Sequence, residues 1–196
     1  MLDYLRSVCP DVRTVRGAFD DAALASAWPD TALLTLGGLR IGLTHGHALV
    51  PWGDPAAAAG LARRLGADVL VAGHSHALRA AVSLEGVLHV DPGSATGAAP
   101  AFPGGSARGA TAAVATPGEP STPSFVLMDV SDGRATVYTY RLVDGATPDA
   151  PKVVKVEKLA YVKGQAPPAE AAGGGAAPAA PAPEPAPAAP APPPAA

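Results

Sequence analysis

The chain has 196 residues and a formal net charge of −3, with no long basic run, so it lacks the electrostatic footprint of a nucleic-acid binder or of a polybasic membrane anchor. Hydrophobic residues reach 48%, but much of that is Ala, and 22 Gly with 23 Pro mean that part of the chain lies outside any compact core. One Cys excludes an intrachain disulfide and fits a reducing compartment, no run approaches the roughly 18 apolar residues of a spanning helix, and the N-terminus lacks a signal-peptide layout, so the expectation is a cytoplasmic protein.

Residues 2–8 read as helix and Val12–Val15 as a short strand closing at Gly17, with Gly17-Ala-Phe-Asp20 a tight loop. The Ala-rich stretch that follows is a weak helix or irregular. Thr31–Leu36 and Leu39–Leu43 flank Gly37-Gly38, a pair suited to the positive φ angles of a two-residue hairpin. Asp54 then reads as an N-cap, Pro55 as the first helical residue and Gly66 as the stop, which predicts a helix over 55–65. Asp68–Ala72 is a continuously apolar run after its first residue, the mark of a strand covered on both faces, and the helix between two strands makes a β-α-β unit.

Leu78–Leu84 and Val87–Val90 predict a second hairpin around Glu85-Gly86. From Ala98 to Pro123 the composition turns to Gly, Pro, Ala, Ser and Thr, which predicts a long flexible loop, about 100–122. Ser124–Val130, Ala135–Leu142 and Val153–Tyr161 alternate apolar and polar residues as half-exposed antiparallel strands do. Past Lys163 the chain is Ala, Pro and Gly with two glutamates, so the expectation is a domain over 1–163 and a disordered tail over 164–196.

Chemistry-bearing residues gather where strands end. Leu43-Thr-His-Gly-His47, Ala72-Gly-His-Ser-His76 and Asp91-Pro-Gly-Ser-Ala-Thr-Gly97 each follow an apolar β run, and open α/β sheets place their sites at such junctions. His45, His74 and His76 are the candidate metal ligands, because imidazole suits Zn, Mn or Fe and a His-x-His pair leaving a strand can aim both rings at one ion. His47 is read as core or as a hydrogen-bonding neighbour of the site, and His89 as structural. A two-metal centre also needs bridging carboxylates; Asp20 and Asp91 lie near the right loops, but as a cap and a turn residue. Ser94 lacks the Gly-x-Ser-x-Gly elbow, Cys9 has no His near it in sequence, and no Gly-rich phosphate loop ending in Lys is present, so no catalytic residue is assigned.

Val15-Arg-Gly-Ala-Phe-Asp20, His45-Gly-His47 through Val50-Pro-Trp-Gly-Asp54, Gly73-His-Ser-His76, Asp91-Pro-Gly-Ser-Ala-Thr-Gly97 and Pro123-Ser-Phe-Val-Leu-Met-Asp129 together resemble the small phosphoesterase-like subunit of retromer, within the calcineurin-like metallophosphoesterases. The resemblance runs from about residue 2 to 163, interrupted near 100–122. It implies an α/β fold, a metallophosphoesterase-like β-sandwich flanked by helices, here expected to be N-terminally truncated because the family's opening strand with its Asp-x-His motif has no counterpart after Met1. It implies a noncatalytic scaffold in the retromer cargo-recognition complex, acting in endosome-to-Golgi and endosome-to-surface retrieval, with any Zn or Mn structural and at reduced occupancy. The partners it implies are retromer's large α-solenoid subunit, packed over the metal-site end, and regulators at an apolar surface matching Leu49, Val50, Leu127, Tyr138 and Tyr140. Localisation would be cytoplasmic, peripheral on endosomal membranes through the complex, with no direct membrane contact. Active relatives carry Asn and then His or Cys in the loop that here reads Gly17-Ala-Phe-Asp20; Ala18 cannot ligate and Phe19 cannot move a proton. The competing readings are a metal-dependent phosphodiesterase or phosphatase, and a truncated chain that does not fold stably and has no function of its own.

Overall fold

In a computed structural model the protein is described over residues 2–52, 54–98, 122–144 and 151–165. The loop expected near 100–122 and the tail expected beyond residue 163 fall almost wholly outside these stretches. Two short helices, α1 (Leu2–Val8) and α2 (Ala22–Ala27), precede β1 (Thr31–Leu36) and β2 (Leu39–Thr44). Then come α3 (Pro55–Leu65), β3 (Val69–Ala72), β4 (Leu78–Val82) and β5 (Leu88–Pro92), followed by β6 (Ser124–Ser131), β7 (Arg134–Val143) and β8 (Val153–Val162).

The strands form two sheets, one in the order β1-β2-β3-β5-β4 and the other β6-β7-β8. In the first, β2, β3 and β5 are parallel neighbours, while β1 and β4 lie antiparallel at its edges. A parallel pair cannot be joined by a tight turn, and α3 supplies the crossover from β2 to β3. Its ends follow the sequence: Asp54 accepts from the Ala56 amide at 3.1 Å, and Gly66 ends the helix at φ 59°. Gly42 lets this helix lie close to the sheet, because a Cβ there would stand 3.1 Å from Leu65 Cδ1.

Alternation along the strands divides the first sheet into two faces. Leu39, Ile41, Val69, Leu88 and Val90 point one way and form one core with Ala135, Val137 and Tyr161 of the second sheet. Leu70 points the other way, beneath Leu61 and Ala62 of α3 and beside Val87. The expected sandwich with a helix against its outer face is therefore the observed architecture. Far from the histidines the two sheets are tied through Asp68: its carboxylate takes the Arg40 amide at 2.9 Å and Lys163 Nζ at 2.8 Å. The Tyr161 hydroxyl reaches the Asp68 and Gly86 carbonyls at 3.1 and 2.9 Å.

The strand expected over Val12–Val15 is a correction. That segment belongs to neither sheet; a strand needs a neighbour to supply its ladder, and beside it the adjoining Arg16 amide bonds the Pro29 carbonyl at 2.9 Å without starting one. The other expected strands and helices form within a few residues of their predicted ends.

Replacing Tyr161 with Phe keeps the ring in the core but leaves two carbonyls without their shared donor. The expected loss is about 1–2 kcal/mol in urea unfolding, whereas Leu84→Ala, at an exposed turn position, changes stability by no more than about 0.5 kcal/mol.

Candidate metal centre

All three parallel strands deliver their carboxyl ends to one edge of the sheet, and the chemistry-bearing loops begin there. Gly46 makes the close approach possible. At φ 103° it adopts a backbone that L-residues rarely take, and a Cβ on it would lie 2.6 Å from the Gly73 carbonyl oxygen. The β2 and β3 loops thus meet backbone to backbone, and their histidines face one another.

The ring centroids of His45 and His74 are 5.0 Å apart, those of His45 and His47 5.1 Å, and those of His47 and His74 6.3 Å. His45 Nδ1 and His47 Nδ1 stand 3.1 Å apart. Trp52 forms one wall, its ring 5.6 Å from that of His74, and its indole N–H donates to the His47 carbonyl at 2.9 Å. His74 and His76 both hold left-handed backbone, at φ 72° and 59°, an arrangement that persists only where the surroundings enforce it. Ser75 between them supplies that enforcement: its Oγ accepts from the Ala77 amide at 3.0 Å and donates to Asp91 Oδ2 at 2.5 Å.

Of the sequence-assigned ligands, His45 and His74 come together ring to ring. His76 acts on both through charge. His47, assigned only a supporting place, lies as near to His45 as His74 does and brings its Nδ1 to 3.1 Å from that of His45. Its Gly46 neighbour and the turn bond from Leu49 N to Gly46 O at 3.0 Å fold it back, a reversal that spacing alone does not reveal. Burial, followed by repulsion from the other imidazoles, holds His45 and His74 below the usual histidine range, so both favour the neutral form whose lone pair a metal needs.

The two nearby carboxylates accept hydrogen bonds from loop groups. Asp20 Oδ2 accepts from the Gly17 amide at 2.6 Å, and Asp91 is occupied by Ser75 and by the Gly93 amide at 2.9 Å. Among the described residues no group of three or more His, Cys, Asp or Glu side chains is placed to hold a metal ion. The donors brought together are imidazole nitrogens, a set that suits a single Zn2+ ion and not a carboxylate-bridged pair of ions.

The proposed apolar partner residues fall into two places. Leu49 packs under α3 and Val50 beside it is 71% exposed, both at the histidine end. Leu127, 53% exposed, faces outward from β6 opposite Tyr138, and Tyr140 stacks on Phe125 with centroids 4.7 Å apart. These lie on the outer face of the second sheet, across the sandwich from α3.

This fold and edge define a calcineurin-like phosphoesterase, and the family model for the calcineurin-like phosphoesterase superfamily domain matches residues 1–133. Vacuolar protein sorting-associated protein 29 of Schizosaccharomyces pombe is 42% identical over 161 residues, covering 82% of this chain and 74% of that protein. The crystal structure of wild-type Vps29 from Entamoeba histolytica complexed with Zn2+ is 34% identical with a TM-score of 0.63, covering 81% of this chain and 74% of that one. Chaetomium thermophilum Vps29, in complex with a RaPID-derived cyclic peptide, is 34% identical with a TM-score of 0.60, covering 83% and 73%. Within the superfamily, the chain belongs to the Vps29 family.

Burial pushes the Asp91 carboxyl up to about 6, against the opposing pull of its bonds from Ser75 and Gly93. A folded-state value above the unfolded one means that the native chain binds the extra proton, so this group's stabilisation is present at low pH and is lost as pH rises from about 4 to about 6. His45 and His74, held low, act in the opposite sense. Subtracting the urea stability of Asp91→Asn from that of the parent isolates the carboxylate: the difference should fall by up to about 3 kcal/mol between pH 4 and pH 7. A pH-independent difference would contradict this assignment.

Proposed function

We propose that the chain is a noncatalytic subunit of the retromer cargo-recognition complex, whose histidine end docks the large α-solenoid subunit during endosome-to-Golgi retrograde transport. The observation that carries this reading is the apolar rim around that end, in a chain of the Vps29 family. Val50 and Trp52 are exposed beside His47 and His74, and Phe19 is 96% exposed in the loop whose Asp20 acts electrostatically on His45. Apolar and aromatic side chains standing in water around a partly polar centre are what an interface core requires.

The same loop argues against catalysis. Ala18 offers no ligand, Phe19 offers no acid or base, and the carboxylates near the histidines accept hydrogen bonds from the Gly17 amide and from Ser75. A divalent ion, Zn2+ or Mn2+, held by His45 and His74 with His76 on the same loop, then has a structural part at reduced occupancy: it would cross-link the β2 and β3 loops beneath the partner. The outer face of the second sheet, with Leu127, Tyr138 and Tyr140, is a separate surface for regulatory proteins. Its stacked Phe125–Tyr140 pair supports this use, as does Lys158 above the Tyr138 ring at 5.7 Å. Among the described residues no helix is long and apolar enough to cross a membrane; membrane association comes through the complex, on the cytoplasmic side of endosomes.

Titration of the full chain with the solenoid subunit tests this assignment. Val50→Asp should weaken binding by about 30-fold or more, while Leu127→Asp leaves it within about twofold and instead abolishes capture of regulators. In parallel, hydrolysis of an aryl phosphodiester with Zn2+ or Mn2+ should stay at the buffer rate. Turnover that His74→Ala removes would favour the phosphodiesterase reading.

A further inference from the structure

β8 comes last in the order β6-β7-β8, so one of its edges pairs with β7 and, among the described residues, no strand lies on the other. It pairs with β7 in one unbroken register, from Val153 opposite Val143 to Val162 opposite Arg134, and contains no Pro. A long, unbulged edge of this kind is a template for another strand. Its first half also stands clear of the rest of the sandwich: every residue from Val153 to Lys158 is exposed, and Val153, Val154 and Val156 are each about half exposed. Leu159 and Tyr161 join the core, so alternation places Val153, Lys155 and Glu157 on the inner face and Val154, Val156 and Lys158 on the outer one.

We infer that β8 pairs antiparallel with β8 of a second copy, about a two-fold axis at Val156, so that three strands from each copy join in one continuous sheet across a weak homodimer. The charges of the edge select this partner and this register. With the axis at Val156, Lys155 stands opposite Glu157 of the second copy, Val153 opposite Leu159, and Val156 opposite its own counterpart. Val154 meets Lys158, whose aliphatic stem can lie along it. Moving the axis by one residue sets Lys155 against Lys155 or Glu157 against Glu157, and like charges directly opposite destabilise a strand pair. Lysine and inward-pointing charge normally guard an edge; here they guard it against other registers and match a second copy in this one. Within one chain Glu157 takes Arg141 at 2.8 Å and Lys155 at 3.0 Å. A carboxylate offers about four lone-pair sites, so the second copy's Lys155 joins these cations without displacing them. Pairing over residues 153–159 is small beside the roughly 1,200 Å2 of a stable interface, so the dimer forms at high concentration. It uses no residue of the histidine end and is tested apart from the partners proposed above.

The test is sedimentation of the full-length chain from about 5 to about 500 µM. The expected mass rises toward two chains and stops there. Lys155→Glu, which still faces Arg141 across the β7–β8 pair, should raise the dimer dissociation constant by about tenfold or more, and Glu157→Lys should do the same. The double exchange Lys155→Glu/Glu157→Lys should restore the parent value, and an equimolar mixture of the two single variants should form heterodimers. Should a single variant fail to unfold cooperatively in urea, the double exchange decides, since it keeps two cations and one carboxylate on this face. A chain that stays single at the highest concentration, that grows past two, or whose dimer is unmoved by the single exchanges or not restored by the double one would overturn the inference.

Discussion

A side chain on Gly46 would bring its Cβ to 2.6 Å from the Gly73 carbonyl, and the arrangement of the histidine end depends on that contact. Parallel pairing of β2 with β3 sets the two strands side by side, but strand pairing ends where the loops begin. The glycine-to-backbone approach lets the loops converge beyond the sheet. From it follow the facing of His45 and His74, the reversal that folds His47 onto His45, and the seat of Trp52 against the cluster. The Ser75–Asp91 bond then fixes the second loop from the β5 side, so three neighbouring strand ends are held at one edge by backbone geometry and that hydrogen bond.

The opposite end is held differently. Asp68 collects an amide, a lysine and a tyrosine hydroxyl near the starts of β3 and β5, and the interleaved aliphatic side chains between the sheets lie between these two anchorages. In the proposed function, the loops at one edge and the aromatic face of the second sheet serve two separate partners, and neither role calls for chemistry at a bound ion.

Local signals in the sequence were legible wherever one residue type decides the geometry. Gly37-Gly38 marked a hairpin, Asp54-Pro55 and Gly66 marked both ends of α3, and alternation marked β6 to β8. Val12–Val15 misled because β-branched composition describes a strand's side chains and not the neighbour that must pair with it. The His45–His47 contact was illegible for a related reason: spacing does not show that the intervening Gly46 takes positive φ and brings the two imidazoles together. The resemblance assigned Val50 and Leu127 to one apolar surface, and strand alternation alone could not settle whether Leu127 was core or which side of the sandwich each occupies. Only the packing of Leu49 beneath α3 and the pairing of Leu127 with Tyr138 separate them.

The metal and the partner are linked in this account by a shared location. In the proposed function, an ion held among the β2 and β3 loops would stiffen the segment that carries Val50 and Trp52 and so present that rim to the partner. Hydrogen–deuterium exchange of the full chain, with and without retromer's solenoid subunit, addresses the central claim most directly. The account predicts slowed exchange across residues 45–52 and 73–77, with the outer strands β6 and β7 unchanged. Protection confined to β6 and β7, or none anywhere at saturating partner, would contradict it.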